Sequence, residues 1–239
     1  IAPIVIDILN LDVNVDNIWE SYGFYPRAMT PYVAFDIFCR MKLPEAMPVK
    51  QLIDPYEYFP LGCFDNLPKF MVYSGGDQFF CQDGDHFYWD DIPGAAQKCY
   101  RRVPNTSHDL HERPEVLEGV GYWAQNVKNG TANPTYSWTF EADGSIRVQV
   151  GTPNPTTVRL WQITNPNARD FRAEEIGYIW TSSTLADQGG GVYVGYCAPP
   201  ATGYTCFLVE LDYGSNKVFT TQARVTPDIL PFAGTHCLP

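Results

Sequence analysis

What the sequence has little of already excludes several classes of protein. No stretch approaches the roughly 20 apolar residues that span a bilayer, since the best run, Ile1 to Leu9, is broken by Asp7. Basic residues are scarce: 16 Lys and Arg stand against 27 Asp and Glu, for a net charge of −11. A chain this acidic is a poor partner for nucleic acid and for anionic membranes. We therefore expect neither a nucleic-acid-binding nor a membrane-spanning protein.

Two further features are missing. The chain begins without Met and shows neither the charged n-region nor the cleavage site of a signal peptide. It also contains no Gly-x-Ser-x-Gly sequence, the motif that holds a nucleophilic serine on a strained strand-to-helix turn. We expect the chain to be the later part of a longer protein, or a processed product.

What is present is the composition of a folded globular protein. Of 239 residues, 45% are hydrophobic and 18% are charged, which is unlike the composition of disordered chains. A chain of this length buries ~70% of the surface that it exposes when unfolded. The length allows one large domain or two ordinary ones.

Seven cysteines are dispersed along the chain and none forms a C-x-x-C pair, so a structural zinc site is not supported. Disulfides formed in an oxidising compartment fit this pattern, with free buried thiols as the alternative. The candidate pairs are Cys81 with Cys99 and Cys197 with Cys206. The odd number leaves one cysteine, Cys237 in the tail, for another chain or an upstream segment.

Two N-glycosylation sequons support a secreted or extracellular location. Asn129-Gly130-Thr131 lies in a turn-rich stretch, which is a natural surface site. Asn105-Thr106-Ser107 also matches, although Asn105 lies three residues before His108, where a glycan would crowd a cleft.

The spacing of the apolar residues changes along the chain and predicts two domains. Before residue 129, short apolar runs alternate with helical spacing, which predicts a parallel α/β sheet over residues 1–128. Residues 129–134 form a linker without a large apolar group. Residues 135–232 alternate with a period of two and predict an immunoglobulin-like β-sandwich, and residues 233–239 form a tail.

Individual elements follow from the same periodicities. In the first domain we predict helices over 31–41, around 85–89 and over 114–128, with strands over 1–9, 69–73 and 100–103. In the second we predict strands over 136–140, 146–150, 158–164, 177–181, 191–196, 204–211 and 218–225.

Two residues that follow predicted parallel strands could work together in catalysis. Asp77 follows an apolar strand and two glycines, and His108 lies in the loop after the next strand. The carboxyl ends of such strands bear the ligand-binding loops. An aspartate there can accept the Nδ1–H of a histidine, as in the triads of hydrolases, where the acid precedes the histidine along the chain. We predict Asp77 and His108 as catalytic residues, with Gln78, Phe79 and Trp89 as candidates to line the substrate cleft.

Other polar clusters give weaker signals. His111 and Glu112 follow His108 at a spacing that a metal could use, but the sequence lacks the motif of a zinc protease. Asp83 and Asp85 resemble part of a calcium loop without its remaining ligands, so a helix N-cap is the better interpretation. We expect no metal and no cofactor.

Several longer motifs carry a resemblance to a known family. They are Val5-Ile-Asp-Ile-Leu-Asn10, Ile53-Asp-Pro55, Gly76-Asp77-Gln-Phe-Phe80, Phe87-Tyr-Trp-Asp-Asp-Ile-Pro-Gly94, Val103-Pro-Asn-Thr-Ser-His108, Leu160-Trp-Gln-Ile-Thr-Asn-Pro-Asn-Ala-Arg-Asp-Phe-Arg172 and Val225-Thr-Pro-Asp-Ile-Leu-Pro-Phe232. Through them, residues 1–232 resemble the PhoPQ-activated pathogenicity-related proteins, which include secreted autocrine proliferation repressors. The resemblance implies an α/β-hydrolase fold with an appended β-sandwich, a serine in an upstream segment, Asp77 as the acid and His108 as the base.

The sequence thus leads to one main hypothesis and two alternatives. The main hypothesis is a secreted serine hydrolase of esters or amides, whose nucleophile comes from an upstream segment or a second chain. The first alternative is an inactive binding or signalling protein that keeps the hydrolase fold. The second is a structural extracellular component in which Cys237 cross-links a homo- or hetero-oligomer.

Overall fold

The computed structural model describes residues 1–5, 9–94, 97–110, 113–234 and 237. Within these residues, helices occur together with parallel and antiparallel strand pairs, so the predicted mixture of α and β structure is confirmed. The helices are α1 (Leu11–Tyr22), α2 (Thr30–Ala34), α3 (Ile37–Arg40), α4 (Met47–Ile53), α5 (Pro114–Asn129) and α6 (Ala173–Ile176). Short 3-10 turns occupy Arg27–Met29, Pro44–Ala46, Pro55–Leu61 and Gly84–Phe87.

The strands pair in three groups. They are β1 (Lys69–Ser74), β2 (Lys98–Val103), β3 (Tyr136–Phe140), β4 (Ile146–Val150), β5 (Thr157–Asn165), β6 (Thr181–Thr184), β7 (Val192–Gly195), β8 (Tyr204–Asp212), β9 (Val218–Thr220) and β10 (Arg224–Thr226). β1 pairs with β2; β3, β4 and β7 form a second sheet; and β10, β8, β5 and β6 form a third, in which β9 also pairs with β8.

The first group is parallel, as the apolar runs predict. β1 and β2 run in register from Lys69 beside Lys98 to Ser74 beside Val103. On the other side of β1, Val5 N–H donates to the carbonyl of Val72 at 2.7 Å. Every residue of β1 is buried, which fits the apolar run from Phe70 to Tyr73. The carboxyl ends of β1 and β2 therefore lie side by side.

The segment between residues 10 and 61 is built of short helices around α1. The predicted helix over 31–41 is wrong as one element, because Asp36 adopts a left-handed backbone (φ 53°) that separates α2 from α3. The helix predicted around 85–89 is a single 3-10 turn. The helix predicted over 114–128 is confirmed as α5, which starts at Pro114 and ends before Gly130 in the left-handed conformation (φ 65°).

The two antiparallel sheets share one hydrophobic core. β4 contributes Ile146 and Val148, which pack with residues of β5 and β8, among them Phe207 and Val209. β8 is buried along seven consecutive residues, because apolar clusters cover both of its faces. The strand predicted over 177–181 is wrong in position, since α6 and a turn precede β6, and the strand predicted over 218–225 is divided into β9 and β10.

Side chains from both parts of the chain also pack together. Phe219 of β9 lies in the same hydrophobic cluster as Phe70 of β1 and Trp123 of α5. The Tyr136 hydroxyl accepts from Tyr100 N–H at 3.1 Å. The segment between Asn129 and Tyr136 contains no helix or strand, and the division at residues 129–134 stays a prediction. Side chains from before and after this segment nevertheless share one hydrophobic cluster.

The cysteine pairing differs from the one predicted. Cys39 and Cys237 form a disulfide that joins residues 198 apart in sequence, whereas Cys63, Cys81, Cys99, Cys197 and Cys206 are free thiols. The predicted pairs 81–99 and 197–206 are therefore wrong, as is the prediction that Cys237 bonds to another chain or to an upstream segment. Four of the free thiols are buried and Cys63 is exposed. Burial raises the pKa of both Cys81 and Cys99 to about 12, so these thiols stay protonated and unreactive.

This arrangement predicts the outcome of thiol labelling. Native protein treated with iodoacetamide without reductant should gain one label, at Cys63, because the remaining thiols are buried. Unfolding without reductant should give five labels, and unfolding with reductant seven. Mass spectrometry counts the labels, and a Cys63→Ala variant should gain none in the native state. Only three labels after unfolding without reductant would indicate a second disulfide and contradict the assigned pairing.

Candidate functional site

The loop after β1 is forced into a tight path by two glycines. A Cβ at Gly75 would lie 2.8 Å from the carbonyl oxygen of Val103, and a Cβ at Gly76 would lie 2.7 Å from the carbonyl oxygen of Thr106 and 2.8 Å from the Cβ of Ala173. Such distances leave no room for a side chain. The two glycines thus let the loop after β1 lie directly against the loop after β2.

The carboxylate of Asp77 organises this loop. The residue is 1% exposed. Its Oδ1 accepts the backbone N–H of Phe79 at 2.8 Å and, at a longer 3.3 Å, that of Phe80. A buried carboxylate needs such donors to offset the loss of water. These bonds fix the backbone of the two phenylalanines and leave Oδ2 directed to the neighbouring loop.

The structure brings His108 to that second oxygen. The His108 Nδ1 lies 2.9 Å from Asp77 Oδ2. Gln78 also fixes the backbone of the histidine, since its Oε1 accepts the backbone N–H of His108 at 3.0 Å. The histidine side chain is 32% exposed, whereas that of the aspartate is 1% exposed. The pair therefore consists of a buried carboxylate behind a solvent-accessible imidazole.

Two aromatic rings lie beside the imidazole. The ring centroid of Phe79 lies 4.6 Å from that of His108, and the centroid of Phe80 lies 5.7 Å away. Sequence reasoning selected Phe79 but missed Phe80, although the repeated aromatic after Asp77 was a usable signal. Trp89 packs in the hydrophobic core, where it stacks on Trp138 at 5.5 Å between centroids.

The two serines nearest the pair have other partners. Ser74 is fully buried and its hydroxyl donates to the carbonyl of Thr106 at 2.9 Å. Ser107 donates its hydroxyl to Asp109 Oδ1 at 2.8 Å. With these partners, neither serine hydroxyl takes the position of a nucleophile beside the pair.

Acidic residues of the 81–91 stretch bind arginines. Arg102 donates to Asp85 at 3.2 Å, and both side chains are fully buried. Arg169 binds Asp83 at 2.5 Å. Burial favours a higher pKa for Asp83, but the charges of Arg169 and His86 outweigh it, and the pKa is lowered. Asp83 occupies the N-cap position of the Gly84–Phe87 turn, as predicted, but its side chain makes no capping bond there.

In the described part of the chain, no three His, Cys, Asp or Glu side chains lie together so that they could hold a metal ion. His111 and Glu112, which gave the metal-like spacing after His108, lie outside the described residues. In the described ranges, no helix has the length and apolar content to cross a membrane.

The two sequons lie in different surroundings. The Asn105 amide donates to the carbonyl of Trp180 at 3.0 Å and accepts the backbone N–H of Trp180 at 2.8 Å. Both polar atoms of the Asn105 amide are therefore engaged with Trp180. Asn129 is exposed at the end of α5.

With this geometry established, comparisons with known proteins identify the family. Residues 1–172 match the family model described as PhoPQ-activated pathogenicity-related protein. The chain belongs to this family. The predicted resemblance is thus confirmed, and all the residues of the Asp77–His108 pair and its aromatic surroundings lie within the matched range.

One curated relative extends the match along almost the whole chain. This relative is autocrine proliferation repressor protein A of Dictyostelium discoideum. It is 27% identical to the chain in an alignment 260 residues long, which covers 97% of the chain and 52% of the relative. The chain therefore spans about half the length of this member. No solved structure matches the chain.

The close packing at Gly76 gives a test of the site's framework. Gly76→Ala should lower the free energy of unfolding by roughly 1–3 kcal/mol, because the added methyl group overlaps Thr106 and Ala173. Gly121→Ala is the matched control: it lies inside α5 with nothing within 4 Å of an added Cβ. That substitution should raise stability by about 0.5–1 kcal/mol. Urea unfolding measures both, and equal effects would contradict the tight approach of the two loops.

Proposed function

We propose that the protein is a secreted serine hydrolase in which Asp77 and His108 serve a serine from a preceding segment or a second chain. The observation that carries the proposal is the 2.9 Å contact between Asp77 Oδ2 and His108 Nδ1 at the adjacent carboxyl ends of two parallel strands. Acid and histidine also follow the chain order of α/β hydrolases.

The geometry supports a defined role for each group. The Asp77 carboxylate accepts the Nδ1–H of the neutral imidazole, which places the lone pair on Nε2. Nε2 takes the serine proton as the serine oxygen attacks the ester carbonyl. The imidazolium, stabilised by Asp77, then gives that proton to the leaving alcohol. Water repeats the sequence on the acyl-enzyme and releases the acid.

We also propose an α/β-hydrolase fold with an appended β-sandwich. The segment at residues 1–5, β1 and β2 would form the last part of an α/β-hydrolase sheet, with α5 packed on it through Trp123. The two antiparallel sheets with a common core would form an immunoglobulin-like sandwich. Ala173 and Trp180 in this part of the chain donate hydrogen bonds to the carbonyls of Gly76 and Gly75, just before Asp77.

The catalytic assignment is tested in the full-length protein against a panel of esters. Asp77→Asn and His108→Ala should each lower kcat by roughly 10³-fold or more, because the first loses the correct tautomer and the second loses the base. His86→Ala and Asp90→Asn are matched controls at exposed positions and should retain activity. Unchanged hydrolysis in both dyad variants would refute the assignment.

A second candidate function is a secreted signal that acts by binding. The observation that favours it is the name of the relative, an autocrine proliferation repressor. Proliferation assays with the Asp77→Asn protein separate the two functions. Full repression by a variant without hydrolase activity would favour the binding function.

Secretion predicts a pattern of glycosylation. Asn129 should bear a glycan, because it is exposed, whereas Asn105 should not, because its amide is bonded to Trp180. Expressed through the secretory pathway, the Asn129→Gln variant should migrate faster in electrophoresis. Asn105→Gln should migrate like the parent, and enzymatic removal of glycans should abolish all differences. A shift with Asn105→Gln would contradict this part of the structure.

A further inference from the structure

A cavity of about 340 Å³ lies between α1 and the short helices α2 to α4. Its lining side chains are all apolar except that of Tyr32, which bears a hydroxyl. Val15 and Phe38 form its buried walls, while Ile53 is 56% exposed and lies at the rim. An apolar cavity offers few hydrogen-bond partners to water, so it favours an apolar occupant.

The cavity shares a wall with the Asp77–His108 pair. Phe79 and Phe80 line it, and the rings of the same two residues contact the imidazole at 4.6 and 5.7 Å between centroids. Asp77 Oδ1 holds the backbone of both phenylalanines, while its Oδ2 holds the imidazole. The cavity therefore adjoins the imidazole, because the same two rings contact both.

Several long-range bonds hold the helices around this cavity in place. Asp12 and Asp16 of α1 form ion pairs with Lys50 of α4 and Lys42 just after α3. The disulfide from Cys39, next to Phe38 in α3, ties the same wall to the C-terminal tail. The cavity is thus bounded by elements that are fastened to one another, as a preformed binding site requires.

We propose that this cavity binds the apolar acyl chain of the substrate, so that the substrates are esters of apolar acids of medium length. The substrate identity rests on the proposed hydrolase function, whereas the binding of an apolar chain does not. The size fits the assignment: a cavity of about 150 Å³ lined by Leu, Ile and Phe takes up benzene, and the present one is more than twice as large. It also lies within the range of ligand pockets, which begins at about 300 Å³.

Binding is tested with N-phenyl-1-naphthylamine, an uncharged probe whose fluorescence rises in apolar sites. The full-length protein should bind it saturably, and decanoate should displace it while acetate should not. Met41→Trp fills the cavity from its lining and should raise the dissociation constant at least tenfold. Absence of saturable binding, or an unchanged constant in this variant, would overturn the proposal.

Two lysine variants test the same site in case the Met41→Trp protein does not fold. Ile53→Lys places a charge at the exposed rim and should also raise the dissociation constant at least tenfold. Leu52→Lys is its matched control, since Leu52 is the neighbouring residue of α4, is 71% exposed and does not line the cavity. Equal binding by the two lysine variants would contradict the assigned position of the probe.

Hydrolysis of esters with two-, eight- and sixteen-carbon acyl chains separates the two proposals. If both hold, kcat/KM should be highest for the eight-carbon ester, and Met41→Trp should remove that preference. Probe binding that depends on Met41, without hydrolysis that depends on Asp77, would retain the cavity assignment and reject the hydrolase. Hydrolysis that depends on Asp77 without a chain-length preference would retain the hydrolase and reject the acyl site.

Discussion

The buried carboxylate of Asp77 is the constraint on which the rest of the site depends. Moving such a charge out of water costs several kcal/mol unless donors replace the water. Two backbone N–H groups bind one oxygen and the His108 imidazole lies against the other. The same carboxylate thereby sets the position of the imidazole and that of the two phenylalanines beside it. The two phenylalanines and the imidazole are therefore positioned by one side chain, so a displacement of the Asp77 carboxylate would move both.

The parts of this site that the sequence predicts are those fixed by chain order. Two apolar runs become neighbouring parallel strands, and the residues just beyond them must meet at one edge of the sheet. This is why Asp77 and His108 could be paired before their distance was known. The strands β3 and β4 were equally predictable, because alternation and an Asp-Gly turn are local signals.

Other features depend on contacts between distant parts of the chain and escaped prediction for that reason. The partner of Cys237 is Cys39, 198 residues away, and no local spacing reveals which thiols the folded chain brings together. The break at Asp36 interrupts a stretch whose apolar spacing reads as one helix. The cavity beside Phe80 arises only when α1 packs against the helices that follow it. Each of these features depends on contacts that form only when the whole chain folds.

The β-rich part of the chain also holds the loop that carries Asp77 in place. Trp180 donates its indole N–H to the carbonyl of Gly75 at 3.1 Å, and Ala173 donates its backbone N–H to the carbonyl of Gly76 at 3.0 Å. These bonds satisfy the two carbonyls of the glycine pair from outside the parallel strands. A loop with two consecutive glycines is flexible in isolation. Here Trp180 and Ala173 fix its backbone. The geometry of Asp77 is therefore a property of both parts of the chain, and a fragment ending at α5 would lose the bonds that keep its glycine loop in place.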